Sequence, residues 1–168
     1  MFHELVHNIL NQQINAELQA WSDYLAMASW CSRQQLHGCE NWLRVQSQEE
    51  HTHAMKLFQF LIDRNLKVNL LELKPPRVDF ETLAQVFEAA LKQEEENTRR
   101  IHKIFDIALE QKAFASVVEL QWFIAEQVEE MRLARDNYVK ARMISDDAGA
   151  ILEFDRNLGE RQPEKSMP

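Results

Sequence analysis

The 168-residue sequence predicts an all-α protein: four long helices in a bundle, one long crossover between the second and third, and a short fifth helix. Three observations lead there. There are only 3 glycines and 4 prolines, and two of the prolines fall in the last six positions, so little interrupts a helix. Apolar residues recur at 3–4-residue spacing through four long stretches, the pattern of a stripe buried on one helix face. One long internal stretch lacks that spacing, and it carries Pro75-Pro76.

The first helix is expected over about residues 5–36, with Leu10, Ile14, Trp21, Leu25 and Ala28 on its stripe and Gly38 as its break. The second is expected over about 41–66, capped by Asn41 and carrying Leu43, Ala54, Leu57, Phe58 and Leu61. From Lys67 to Asp79 the period fails. Structureless connections of this length are uncommon in a compact domain. An extended chain covers ~3.3 Å per residue, so this one can run the length of a bundle. The third helix starts at Asp79 or Phe80 and reaches about Leu109 along Leu83, Phe87, Ala90, Ile101, Phe105 and Ala108. The fourth runs from about Ala113 to Met143 with Val117, Leu120, Phe123, Ile124, Ala134 and Tyr138. The short link between these two makes them antiparallel. Ser145-Asp146-Asp147 forms a capping cluster for the fifth helix, whose stripe is Ile151, Leu152 and Leu158. One domain over residues 1–160 and a disordered tail over 161–168 complete the expected organisation.

Composition narrows the function. The net charge of −8, from 19 basic and 27 acidic residues, argues against nucleic acid as a partner and suits the attraction of cations. Cys31 and Cys39 form no CxxC pair and supply neither a zinc ribbon nor a four-cysteine iron site. A reduced, cytoplasmic compartment is expected. No apolar run approaches the ~18 residues of a membrane span, and MFHELVHNILNQQ lacks the apolar block of a signal peptide.

The chemistry lies in what interrupts the stripes. Heptad-spaced positions read Leu10, Glu17, Tyr24 in the first helix and Leu43, Glu50, Leu57 in the second. They read Phe87, Glu94, Ile101 in the third and Phe123, Glu130, Asn137 in the fourth, with Leu120, Gln127, Ala134 alongside. Each helix thus carries a glutamate on its core-facing line, near its midpoint, and antiparallel packing brings all four to one depth. Burying a carboxylate without a partner costs several kcal/mol. Two divalent metals neutralise four carboxylates, and neutral His53 adds a nitrogen donor. Glu50 and His53 are i and i+3 and share a helix face. Dinuclear bundle sites use one Glu from each of two helices and Glu-x-x-His from each of the other two. Here Glu17 and Glu94 are the single glutamates and Glu50-x-x-His53 is one pair. Gln127-x-x-Glu130 replaces the other, so a weaker second metal position is expected. A carboxylate–imidazole set without thiolate suits iron or manganese, and zinc less selectively.

With these residues in view, the chain resembles ferritin, specifically the haem-free bacterial ferritins, through about residue 159. A bundle with a single long crossover is also the topology of ferritin-like folds. The resemblance rests on Glu17 with Tyr24, the run Glu49-Glu50-His51-Thr52-His53-Ala54, Glu94, and Trp122 followed by Glu126-Gln127-Val128-Glu129-Glu130. It implies that Glu17, Glu50 and His53 bind a first iron, and Glu50, Glu94 and Glu130 a second, with Gln127 close by. It implies a third iron position at Glu49, Glu126, Glu129 and Glu130, although by spacing alone Glu126 and Glu129 equally suit an exposed acidic face. It gives Tyr24 the role of an electron donor. It implies ferroxidase activity on Fe²⁺ with O₂ or H₂O₂, a ferric oxide store, and a homo-oligomeric cage of 24 subunits with the fifth helix at a four-fold axis. Haem-binding relatives carry a methionine immediately after the bridging glutamate; here that position is His51, so haem is not expected. Trp122 lies near the metals or serves packing alone. His3, His7, His37 and His102 are expected at the surface.

Overall fold

The structure, a computed structural model, describes residues 4–144 and 147–163. These residues form α1 (Glu4–Arg33), α2 (His37–Asp63), α3 (Leu83–Glu110), α4 (Phe114–Met143) and α5 (Ala148–Leu158), with no strand among them. α1 packs along α2 and α3 along α4; α1 also meets α3, joining the two hairpins, and α5 docks on α2 and α4. The expected all-α bundle, its crossover and its fifth helix are all present. No helix among the described residues is long and apolar enough to cross a membrane.

The helix boundaries differ from the expected ones for a common reason. Gln35, Asn65 and Lys112 adopt left-handed backbone, with φ of 62°, 55° and 52°. Each lets the next amide reach back to close the preceding helix: Leu36 N–H to Cys31 O at 3.0 Å, Leu66 to Leu61 at 3.0 Å, Ala113 to Ala108 at 2.9 Å. Two of these three stops have neither glycine nor asparagine, so the usual signal is missing. Gly38 is therefore not a break. It sits in the first turn of α2, where a Cβ would lie 1.7 Å from the Asp155 carbonyl oxygen of α5. Nor does Asn41 cap α2; its amide donates to Arg161 O at 3.0 Å. The α2 N-terminus is served instead from α5, where Asp155 Oδ1 accepts from Cys39 N–H at 2.7 Å.

α3 begins at Leu83 rather than at Asp79 or Phe80, because Thr82 caps it by accepting from Gln85 N–H. Asp147 caps α5 through Ala150 N–H, whereas Ser145 and Asp146 lie outside the described residues. Leu25 and Leu152 are exposed, 39% and 63%, and Phe154 is the buried residue of α5. Of the expected tail, residues 161–163 are described and Arg161 is held against α2; residues 164–168 lie outside the description.

The crossover has no regular structure and binds α1 through side-chain amides. Asn15 donates to Asn69 O and accepts from Leu71 N–H, both at 2.7 Å. Gln19 does the same for both backbone groups of Lys74, at 3.0 and 2.7 Å. Asn11 donates to Lys67 O and accepts from Asn69 N–H. These residues recur every four positions on one α1 face, so the helix presents a polar edge that satisfies the extended backbone. Trp30 Nε1 donates to Phe80 O at 2.9 Å where the crossover turns into α3.

The apolar core falls into two bodies. One gathers Tyr24, Trp30, Leu43, Phe87 and Phe154 at the α5 end. The other gathers Leu10, Leu57, Ile101, Leu120 and Phe123 at the opposite end. Between them, at mid-helix, lies a layer of buried polar side chains.

Candidate metal centre

Glu17, Glu50, Glu94 and Glu130 are each at most 4% exposed, as are His53 and Gln127. Each helix of the bundle thus contributes a carboxyl at one depth, where the heptad pattern put it. The ligand-capable atoms of Glu17, Glu50 and His53 all lie within 4.8 Å of one another, and so do those of His53, Glu126 and Glu130. His53 is common to both groups. Its Nδ1 lies 3.7 Å from Glu50 Oε2, too far for a hydrogen bond. Neither of these buried atoms has a hydrogen-bond partner.

Amides and one phenol hold the carboxyls in place. Gln13 Nε2 donates to Glu17 Oε1 at 2.7 Å and to Asn97 Oδ1 at 2.6 Å, and Asn97 Nδ2 lies 3.3 Å from Glu17 Oε2. Gln46 Nε2 donates to Glu130 Oε2 at 2.7 Å and to Glu50 Oε1 at 3.2 Å. Tyr24 donates its hydroxyl to Glu94 Oε1 at 2.5 Å, and Gln127 Nε2 donates to Glu94 Oε2 at 3.2 Å. The His53 ring is walled by Trp122 and Phe123, with ring centres 5.4 and 5.9 Å away. Trp122 therefore does lie beside the layer.

The electrostatics are those of crowded, buried acids. Burial, then the charge of Glu50, pushes Glu17 well above the usual carboxylate range. Burial, then Glu94, pushes Glu50 up strongly. Burial also raises Glu94, and burial with the Glu94 charge pushes Glu130 up to about 8. Burial raises the Tyr24 phenol well above its ordinary value, so it stays a proton donor to Glu94. Crowded carboxyls, an imidazole and two buried ligand atoms left without hydrogen bonds fit a pair of divalent cations.

The acids expected at a third position meet different partners, although the Glu49 charge also bears on Glu130. Glu126 joins His53 and Glu130. Glu49 is ion-paired with Arg161. Glu129 lies exposed on α4 with Arg132 Nη2 3.6 Å away. His51 stacks at a tilt against Trp21, with ring centres 6.0 Å apart. His37 and His102 are exposed, while His7 is half-buried and bonds Lys67 O at 2.6 Å; His3 lies outside the described residues. Cys31 and Cys39 are buried free thiols whose burial pushes them up, away from reactivity.

Sequence reasoning missed Gln13, Gln46, Asn97 and Arg161. A signal existed for the first two. Each precedes a site glutamate by one helical turn, at i−4, on the same buried stripe. Arg161 had none, because its partners are more than 110 residues away in sequence.

Comparison with known proteins agrees with this geometry. Residues 7–144 match the ferritin-like domain of the Ferritin family. The chain is 33% identical over 152 residues to a bacterial non-heme ferritin of Staphylococcus aureus, covering 90% of this chain and 92% of that protein. A second such protein, from Staphylococcus saprophyticus, is 29% identical across 99% of both chains. Among solved structures, an open-pore ferritin of the hyperthermophilic archaeon Archaeoglobus fulgidus superposes with a TM-score of 0.94 at 40% identity, over 96% of this chain and 100% of that one. A form of that ferritin engineered to be closed gives 0.93 at 41% identity, over 96% and 99%. Domain match, identity and fold agree across most of the chain, and they make this protein a member of the ferritin family.

Proposed function

We propose that the chain is an iron-storage ferroxidase. Its substrate is Fe²⁺, taken into a dinuclear centre within each subunit, oxidised with O₂ or H₂O₂, and stored as a ferric oxyhydroxide inside a cage of 24 copies. The observation that carries this reading is the mid-bundle layer of four buried carboxyls in which Glu50 Oε2 and His53 Nδ1 lack any hydrogen-bond partner. An apolar core at that depth would be cheaper to fold, so the layer is there to hold something.

In this reading Glu17, Glu50 and His53 hold one iron, and Glu50, Glu94 and Glu130 the other, with Glu50 between them. Gln127 replaces the second histidine, which weakens the second position. The second group, buried His53 and Glu130 with half-buried Glu126, supports a path from the pair toward the α4 surface. Burial raises the pKa values of the metal-free carboxyls, so they hold protons to higher pH than free carboxyls do. Binding two divalent ions displaces those protons. The protein's work is to set the spacing of the two ions and to bind the ferrous pair at neutral pH. Two Fe²⁺ release two electrons; O₂ accepts them with two protons and leaves as H₂O₂. Where H₂O₂ is the oxidant, its O–O bond breaks and, with two protons, two waters form. The hydrogen bond from Tyr24 to Glu94 supports for Tyr24 the role of donating a third electron when O₂ takes more than the two that the ferrous pair supplies.

The 24-subunit cage follows from the resemblance to haem-free bacterial ferritins, the expected absence of haem from His51 at the position where haem-binding relatives carry methionine, and the cytoplasmic location from the pattern of Cys31 and Cys39. A second reading is a passive iron-binding cage without rapid oxidation. Mixing the metal-free protein with Fe²⁺ in air and following ferric absorbance separates the two. Fast oxidation that is lost in Glu50→Ala is expected. Equal slow rates in both proteins favour the passive cage.

A further inference from the structure

Arg161 stands at an acid expected to hold a third metal. Its Nη2 donates to Glu49 Oε2 and its Nη1 donates to Gln46 Oε1 at 2.9 Å. The guanidinium also lies over the Trp42 ring, 4.5 Å from its centre. The side chains of Arg161 and Glu49 are 16% and 15% exposed, so solvent screens this pair poorly. Arg161 lies beyond residues 7–144 that match the family domain.

The contact reaches the metal centre through one side chain. With its Oε1 taken by the guanidinium, Gln46 turns its Nε2 toward Glu50 and Glu130. The reverse orientation would set its carbonyl against two carboxyls and its NH₂ group against a cation, which is repulsive at both ends. A planar fork that donates to Glu49 and Gln46 together suits Arg and not Lys.

We propose that Arg161 is a positioning residue that takes the place of a third cation: it neutralises Glu49, locks Gln46 onto Glu50 and Glu130, and limits each subunit to two tight metal sites. This rests on the reading of the mid-bundle layer as a dinuclear centre. It sets this chain apart from the three-site pattern that the resemblance implies, because the third position is closed by a tethered guanidinium.

Anaerobic Fe²⁺ titration of the assembled protein, counting tight sites per subunit, tests it. The natural sequence is expected to bind two. Arg161→Gln is expected to gain a third site and to bind the original two about 10-fold more weakly, the usual cost of losing an outer partner of a ligand. Arg161→Lys, which keeps the charge, is expected to gain no third site. Glu49→Gln is expected to leave the count at two, and if Arg161→Gln does not assemble, Arg161→Met, which keeps the packing on Trp42, carries the same expectation of a third site. Three sites in the natural sequence, falling to two in Glu49→Gln, overturn the proposal. So does a count of two in both the natural sequence and Arg161→Gln. No tight site in the natural sequence overturns the dinuclear reading itself.

Discussion

The Tyr24 hydroxyl donates a 2.5 Å hydrogen bond to Glu94 Oε1, tying α1 to α3 across the bundle through two side chains that are each almost wholly buried. A phenol in this position fixes the rotamer of one carboxyl and leaves its other oxygen to Gln127, 3.2 Å away. Hydrogen bonds to charged groups contribute ~1.5–3 kcal/mol. Tyr24→Phe is therefore expected to weaken Fe²⁺ binding at the position that includes Glu94 by about 10-fold or more. Anaerobic titration checks this, with circular dichroism confirming an unchanged helix content.

The crowded carboxyls make a statement about pH. Glu17, Glu50, Glu94 and Glu130 all have folded-state pKa values above their unfolded ones. A carboxyl of this kind binds its proton more tightly in the folded state. Its contribution is present below the unfolded pKa and is lost as pH rises through the folded one. For Glu130 that window runs from the ordinary 4.5 to about 8. The metal-free protein is expected to show a melting temperature that falls from pH 5 to pH 8. Added divalent metal is expected to raise it more at pH 8 than at pH 5, with protons released on binding. Thermal scans with and without metal across this range check both signs.

The site was more legible in the sequence than its supports were. Glu17, Glu50, Glu94 and Glu130 stand out because a carboxylate breaks an apolar heptad line, and an isolated buried charge is costly. Gln13, Gln46 and Asn97 are equally buried but neutral, and amides on helix faces are commonplace. The helix ends were obscured by backbone rather than by pattern. Gln35 and Lys112 turn left-handed without the glycine or asparagine that advertises such a stop, and Gly38 is the nearest residue that looks like a break. Gly38 answers to a tertiary contact with α5, which no local rule contains.

That contact gives a sharp expectation. A Cβ at position 38 would lie 1.7 Å from Asp155 O and 2.6 Å from Asp155 C, and backbone cannot yield as a side-chain tip can. Gly38→Ala is expected to push α5 off α2, disturb the Asp155 bond to Cys39 N–H and cost ~1–3 kcal/mol. A lowered melting temperature, with increased amide exchange at Cys39, is the readout.

Lys112 offers the opposite case. It is exposed, its φ is 52°, and left-handed backbone costs an L-residue ~1–2 kcal/mol. Lys112→Gly removes that strain and returns part of the gain as unfolded-chain entropy. A net stabilisation of ~0.5–1 kcal/mol is expected, measured by denaturant unfolding with an unchanged m-value.

Crystals of the metal-free protein soaked anaerobically in Fe²⁺ would locate the metal itself, by anomalous diffraction at the iron edge. Two peaks inside each bundle are expected, one beside Glu17, Glu50 and His53 and one beside Glu50, Glu94 and Glu130, with Glu50 common to both. Iron confined to the outer acidic faces, with no peak in the mid-bundle layer, would mean that the four buried carboxyls hold no metal pair.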